Sequence, residues 1–460
     1  MKPRENWGSH LGFLMATAGS AIGLGSLWKF PYVTGENGGG LFVIAYLVFT
    51  LIIGIPIFIA ELVIGRGAKR APVGAYRTLT NKPAWRLLGW SSVVSTLLIL
   101  SYYIVVAGWA LNYTLMSLLD FSANKAPDQI IGTFEVLYRS TDLNLLLSFL
   151  FLCLTTAIVY RGIRGGIEFW SKILTPALLV ILLLLFLYST TLSGFSEAFA
   201  FIFKPDASKL KPSSLLQALG LACFTLSVGM GIILTYGSYM RENEDIPKTA
   251  FTIASINVLV SLMAAMMIFP IIFTFGFSPQ EGPGLLFKTM PLVFSKLPGT
   301  LLLSTIFFLL VLFAALTSAI SVLEVLVATA TENFKMSRKK AVLIISAVIF
   351  IIGVPSALAG SNTLFKNWTP LYGKNFFDTV DFFSFSWLLP INALFTAIFA
   401  GWVLDASLKK KVFAEGSTLT TLFYPWLFLM RWVVPAGVIL IMLHQGGILD
   451  IDAIFSKLRS

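Results

Sequence analysis

Gly19-Ser20-Ala21-Ile22-Gly23-Leu24-Gly25-Ser26, followed by Phe30-Pro31, interrupts an apolar run near the start of the chain. Glycine lowers helix stability, and three glycines in so short a stretch invite the backbone to unwind. At membrane depth an unwound segment leaves N–H and C=O groups unpaired. It persists only where protein or a water-filled cavity surrounds it. The break therefore marks a site for a polar or ionic ligand. A second break, Gly229-Met230-Gly231, lies 206 residues after Gly23, inside another apolar run and just after Ser227. Paired interruptions in corresponding halves of a membrane chain point to a binding site between internal repeats.

The rest of the chain supports a membrane setting. Of 460 residues, 57% are hydrophobic and 12% charged, with a mean hydropathy of +0.85. A soluble chain of this length needs far more surface charge. Helices of roughly 20 residues cross a hydrocarbon core ~30 Å thick. Eleven candidate spans lie near 10–34, 41–65, 88–119, 144–160, 167–190, 214–240, 249–275, 299–330, 339–359, 383–404 and 421–444. The longest connections, 120–143, 191–213, 276–298 and 360–382, are loop-sized, so no soluble domain is expected. Lys204-Pro205-Asp206 and Gly282-Pro283-Gly284 supply turn chemistry in two of them.

Loop charge sets the orientation. Residues 66–86 carry six Lys or Arg and no acid, and Arg161, Arg164, Lys335, Arg338 to Lys340 and Lys409 to Lys411 fall on the same side. That side reads as cytoplasmic and holds the N-terminus, so an odd span count leaves the C-terminus outside. The net charge of +11 is then mostly this bias, not a nucleic-acid surface. The polar N-terminus runs straight into a long broken span, which is not the pattern of a cleavable signal peptide. Cys153 and Cys223 sit in apolar spans and read as small hydrophobes. His10 and His444 lie far apart without a Cys or carboxylate at metal spacing, so neither a metal centre nor a hydrolytic triad is expected.

Polar groups inside the membrane are costly and few. Freed carbonyls at Gly19, Ala21 and Ile22 attract a small cation, and freed N–H groups near Gly23 and Gly25 attract a carboxylate. The competing reading of one G-x-G is close helix packing. Thr225 and Ser227 flank the second break. Ala314, Thr317 and Ser318 share an apolar helix, where one carbonyl and two hydroxyls make half a shell for a sodium-sized ion. Back-bonding to the preceding turn is the alternative for these hydroxyls. Asn257 is an amide in an apolar span, and Tyr103 offers a hydroxyl to a carboxylate or simply packs. No Asp or Glu occurs at 6–35 or 214–241. A purely cationic substrate would need one, whereas a zwitterion uses the helix ends, which argues for an amino acid.

These residues resemble the neurotransmitter:sodium symporters (solute carrier family 6 type), in particular the bacterial eleven-span amino-acid branch. The resemblance runs along essentially the whole chain. It rests on Trp7, the 19–25 glycine motif, Phe30-Pro31, Glu36 to Gly40, Gly54-Ile55-Pro56, Glu61, Gly65-Arg66, Tyr102-Tyr103, Phe224 to Ser227, Gly282 to Leu285 and Leu316 to Ser318. It implies an all-α integral membrane protein with a leucine-transporter-type 5+5 inverted repeat and broken helices 1 and 6. The single membrane domain, 1–460, would comprise repeats at 10–190 and 214–404 and an extra helix at 421–444.

The resemblance also implies roles. One sodium site would use Gly19, Ile22, Ala314, Thr317 and Ser318. Another would use Ala21, Thr225, Asn257 and the substrate carboxylate, with Ser26 where the family usually has asparagine. The substrate would meet Tyr103, Leu24 and Gly25 at its carboxylate. Its amine would meet Ala21, Phe224, Thr225 and Ser227, and its side chain Ile99, Phe224, Met230, Ser318 and Val322. Phe224 would lid the pocket. Lys29 with Asp381 would form the outer gate, and Arg4 with Glu332, beside Trp7, the inner one. Gly166 and Pro176 have the spacing that accompanies local unwinding of the fifth span. Tyr46 and Ser261 match a chloride site whose glutamine position is Leu221, so that site is half present. Gly23, where the monoamine branch has aspartate, weighs against monoamines. The implied function is sodium-coupled symport of a neutral, apolar amino acid by alternating access in a bacterial inner membrane. The alternative is a sodium-dependent amino-acid sensor of the same fold. One or two sodium ions would serve as cofactors, and the sequence sets no oligomeric state.

Overall fold

The computed structural model describes residues 5–123, 125–206, 211–279, 285–361, 363, 368–369 and 373–453. The expected motif Gly282-Pro283-Gly284 and the gate residue Arg4 lie outside these residues. Within them the fold is all-α.

The first apolar run forms two helices, α1 (His10–Ala21) and α2 (Gly25–Glu36), bent by 45° at the break. Ser9 caps α1 by accepting from the Gly12 N–H. The helix ends where Ile22 takes φ −82° and ψ 69° ahead of Gly23. Helical hydrogen bonding resumes with the Ser26 N–H on the Gly23 carbonyl at 3.1 Å, and Gly25–Lys29 then winds as a π turn. Such turns lower the demand for regular i to i−4 pairing and recur at functional sites.

The following spans are α3 (Gly40–Ala68), α4 (Trp85–Leu118), α5 (Thr141–Tyr160) and α6 (Ile163–Ser189). Next come two short helices, α7 (Pro212–Thr225) and α8 (Ile232–Gly237). The chain continues with α9 (Ile246–Thr274), α10 (Thr300–Asn333), α11 (Arg338–Ala357), α12 (Phe376–Val403) and α13 (Thr420–Gln445). Among the described residues nine helices are each long and apolar enough to cross a membrane, and the bent α1–α2 pair makes a tenth. The expected span at 214–240 is broken where its glycines fall: residues 226–231 divide it, and neither piece is long enough to cross alone.

The second break follows from backbone chirality. Ser227, Gly229 and Gly231 have φ of 56°, 81° and 73°. An L side chain rarely adopts this region, so Ser227 is held there by its surroundings. Glycine at 229 also admits close approach: a Cβ there would stand 2.9 Å from the Leu389 carbonyl oxygen of α12.

α10 is the most enclosed span, whereas α6 and α13 present much of their length outward. Their exposed Leu183, Leu184, Leu187, Trp432 and Ile439 suit contact with lipid tails. The two breaks sit at the centre, between α4, α9 and α10.

Candidate functional site

Three oxygens converge on one amide between the first break and α9. A terminal atom of the fully buried Asn257 side chain lies 2.6 Å from Ser26 Oγ, 3.2 Å from the Ala21 carbonyl oxygen and 3.3 Å from that of Thr225. Turned one way, the amide donates N–H to these oxygens and accepts from Tyr46 Oη and Thr225 Oγ1. Turned the other way, its oxygen faces a cluster of oxygens with only the Ser26 hydroxyl as donor, at 2.6 Å. A small cation among them reconciles that second orientation. The expected residues Ala21, Ser26, Thr225 and Asn257 are therefore brought together, although 231 residues separate Ser26 from Asn257.

On the other side of the break, α1 packs against α10 and α6. A Cβ at Gly19 would stand 2.5 Å from Thr175 Oγ1 and 3.3 Å from Thr317 Cβ. Ile22, Ala314, Thr317 and Ser318 are all buried near this contact. Thr317 Oγ1 donates back to the carbonyls of Phe313 and Ala314 at 3.0 and 3.1 Å, the back-bonding pattern weighed above. Thr175 Oγ1 donates to the Met15 carbonyl at 3.0 Å, tying α6 to α1. Beneath it, Ile163–Glu168 winds as a π turn, so the region around Gly166 departs from regular helix, while Pro176 lies inside α6 proper.

The residues expected to line a substrate pocket come together between the breaks. A Cβ on Gly23 would collide with Ser318 Oγ and lie 3.7 Å from Tyr103 Oη, and one on Gly25 would meet the Phe224 ring at 3.0 Å. Leu24, Ile99, Met230 and Val322 are buried. The Tyr103 hydroxyl is buried near Ser318 and the Leu24 N–H, without a well-formed hydrogen bond to either. Leaving such a group unpaired costs about 1–3 kcal/mol, so it stands ready for a ligand acceptor.

Several residues that shape the site escaped the sequence reading. The Ser20 carbonyl accepts from both Ser227 Oγ and Ser318 Oγ, each at 3.1 Å, and so joins the two breaks to α10. Glu61, singled out above only within the family motifs, accepts the Gly229 N–H at 2.6 Å and the Leu234 N–H at 3.3 Å, capping the broken end of α8. Asn392 of α12 donates to the Gly229 carbonyl at 2.8 Å, and Thr96 of α4 donates to that of Met230 at 2.6 Å. Membrane-depth amides and acids were the legible signal for Asn392 and Glu61. A carbonyl such as that of Ser20 has none.

At the outer gate, Lys29 and Asp381 do not come within 4.0 Å of each other here, although Asp381 still acts electrostatically on the Lys29 ammonium. Its Nζ stands 3.5 Å from the centroid of the Phe385 ring and 4.8 Å from that of Phe224, and these rings meet edge to face at 5.3 Å. A ring face stabilises a cation without a charged partner. At the other end, Trp7 is fully buried against Phe13, Tyr236 and Tyr239 and donates Nε1–H to the Tyr236 carbonyl at 3.2 Å. Glu332 accepts the Ala71 N–H at 3.0 Å. Of the chloride candidates, Tyr46 Oη lies 3.0 Å from Thr225 Oγ1. Ser261 donates back to the Asn257 carbonyl at 2.9 Å, and Leu221 is buried.

Two broken helices whose gaps collect hydroxyls, an amide and carbonyls inside a membrane-spanning bundle define a transport protein. Comparison with known proteins makes the assignment specific. The profile described as the sodium:neurotransmitter symporter family matches residues 4–126 and 137–455. The sodium-dependent transporter YhdH of Bacillus subtilis is 38% identical over 445 residues, which cover 96% of this chain and 98% of that protein. A sodium-dependent transporter of Haemophilus influenzae is 34% identical over 454 residues, with the same coverage of 96% and 98%. The crystal structure of MhsT in complex with L-phenylalanine superposes with a TM-score of 0.88 at 39% identity, covering 96% of this chain and 99% of that one. The chain belongs to the sodium:neurotransmitter symporter family.

Proposed function

We propose that this protein is a sodium-coupled secondary active symporter for neutral, apolar amino acids that works by alternating access. The observation that carries the reading is the convergence of Ala21, Ser26, Thr225 and Asn257 at the first break, beside the unpaired Tyr103 hydroxyl. An ion there and a substrate carboxylate on Tyr103 would stabilise each other, which couples their fluxes. The likeness to a phenylalanine-bound relative and the apolar lining by Ile99, Met230 and Val322 support the substrate class. A second sodium would sit among Gly19, Ile22, Ala314, Thr317 and Ser318. Moving one charge down the membrane potential supplies about 2.3 kcal/mol per 100 mV.

In this reading α7 and α8 together make one crossing, which brings the count to eleven. The domain is single, with inverted five-helix repeats at 10–190 and 214–404 and an extra helix at 421–444. The N-terminus is cytoplasmic and the C-terminus external, in a bacterial inner membrane. Substrate amine would meet the carbonyls of Ala21, Phe224 and Thr225 and the Ser227 hydroxyl, and its carboxylate the Leu24 and Gly25 N–H groups. Phe224 closes the pocket, and Lys29 covers it through Phe385. Arg4, Trp7 and Glu332 close the inner side. Leu221 offers no donor to an anion beside Tyr46 and Ser261, so uptake proceeds without chloride.

Reconstituted vesicles test this directly. An imposed inward sodium gradient should drive accumulation of radiolabelled neutral amino acids, and replacing sodium should abolish it. Sodium-dependent binding without accumulation would instead mark a sensor.

A further inference from the structure

A cleft of about 950 Å³ opens beside the N-terminal end of α1, lined by His10 and Leu14, the loop 240–245 and the first turns of α9. Glu244 lies in its wall with only 7% of its side chain exposed. Neither of its carboxylate oxygens accepts a hydrogen bond from the described residues. Its nearest charged partner is His10, whose Nδ1 stands 3.6 Å from Oε2 and whose side chain is 56% exposed.

Most of the other charges around the cleft have partners of their own. Arg66, from the end of α3, spends its guanidinium on main chain, donating to the Glu244 carbonyl at 2.5 Å and to those of Val412 and Glu415. Arg241 donates to the carbonyls of Trp7 and Gly8. Lys69 pairs with Glu242 at 2.5 Å. Asp245 accepts the Lys248 N–H and binds Ser417 and Thr418, and the Lys248 side chain lines the cleft. Burial pushes the Glu244 carboxyl above the usual carboxylate range, and His10, Arg241 and Arg66 offset this only in part.

We propose that His10 and Glu244 form a proton-binding site that couples the seating of α1 to the pH of the solution on that side. Seated, the buried Glu244 carboxyl beside His10 holds a proton more readily than an exposed carboxyl does. When the start of α1 moves away, Glu244 gains water and the proton is released. Acid therefore holds this end of the bundle shut, and alkali favours its opening. In the transport cycle proposed above, this would slow release to the cytoplasm when the cytoplasm is acid. The inference rests on that reading only for this consequence.

Hydrogen–deuterium exchange of the amides of residues 10–14, in the full-length chain in lipid nanodiscs, tests the site. Rates are compared at about pH 5 and about pH 8, both above the usual carboxylate value, after correction for intrinsic exchange. One linked proton changes the opening equilibrium by up to about tenfold per pH unit. Wild type should open several-fold less at the acid pH, and E244Q should open equally at both. H10Q, at a largely exposed position, removes a group that offsets the burial of Glu244, so it should shift the profile to higher pH, and it serves if E244Q folds poorly. A wild-type opening equilibrium independent of pH, or a wild-type profile retained in both variants, overturns the proposal. Exchange is read whether or not an amino acid moves, so this failure is distinct from failure of the vesicle experiment.

Discussion

The Ser26 hydroxyl meets the Asn257 side chain at 2.6 Å, joining the unwound segment after α1 to the middle of α9. The serine is shorter than the asparagine that the family resemblance implies at this position. It nevertheless lies close enough to share the same oxygen cluster with Ala21 and Thr225. Asn257 supplies the pivoting amide and Ser26 one oxygen. N257A should therefore weaken sodium-dependent amino-acid binding strongly, by the ~1.5–3 kcal/mol typical of a bond to a charged group, and S26A by less. Sodium titration of equilibrium binding checks both. Equal affinity in N257A and wild type would remove this cluster as an ion site.

The second proposed ion site rests on α10. Thr317 and Ser318 direct their hydroxyls to the carbonyls of Phe313, Ala314 and Ser20, so their loss removes oxygens without opening a large void. T317A combined with S318A should leave the fold intact and shift the sodium dependence of substrate binding to higher concentration. G19A should act more severely, because its new methyl would meet Thr175 Oγ1 at 2.5 Å. Thermal melting separates the two cases: the double variant melts near wild type, and G19A melts lower.

Chloride gives a clean ionic test. The hydroxyls of Tyr46 and Ser261 have protein partners, and Leu221 brings no donor. Replacing chloride by gluconate on both sides of the vesicle should leave initial uptake unchanged, and L221Q should create a measurable chloride response. An uptake that collapses without chloride in the wild type would show that Tyr46 and Ser261 suffice.

The outer lid is held by ring faces. Lys29 contacts Phe385 and Phe224, contacts worth about 0.5–2 kcal/mol each. F385A should speed outward dissociation of bound amino acid several-fold, while D381N should change it little. A chase experiment with excess unlabelled substrate measures both rates. A larger effect in D381N than in F385A would restore the ion pair as the latch.

How much of this was legible in the chain depends on what carries the signal. The break at 19–25 is written in glycines, and Asn257 is conspicuous as an amide in an apolar span, so both could be read directly. The division of the span at 214–240 into two helices was foreshadowed by Gly229 and Gly231, but hydropathy alone reads it as continuous. Ser20 acts through its carbonyl, which every residue type possesses, so no side chain announces it. The family resemblance paired Lys29 with Asp381, whereas the folded chain sets its ammonium over the Phe385 and Phe224 rings. His10 and Glu244 lie 234 residues apart, and only packing brings them together.

Asp245 offers a pH test of the fold itself. It caps α9 by accepting the Lys248 N–H at 3.0 Å, and it anchors the segment before α13 through Ser417 and the Thr418 N–H at 3.0 and 2.8 Å. Burial pushes its carboxyl up, but these hydrogen bonds outweigh burial and hold it below the usual aspartate range. A carboxylate depressed on folding stabilises fully above its unfolded value, near about 3.9, and that stability is lost as pH falls through the folded value. Near neutrality D245A should lower stability by roughly 0.5–2 kcal/mol, the usual loss for a helix cap. The gap in melting temperature between wild type and D245A should then shrink as the pH is lowered below about 4. A gap that stays constant down to pH about 3 would mean that the cap works without its charge.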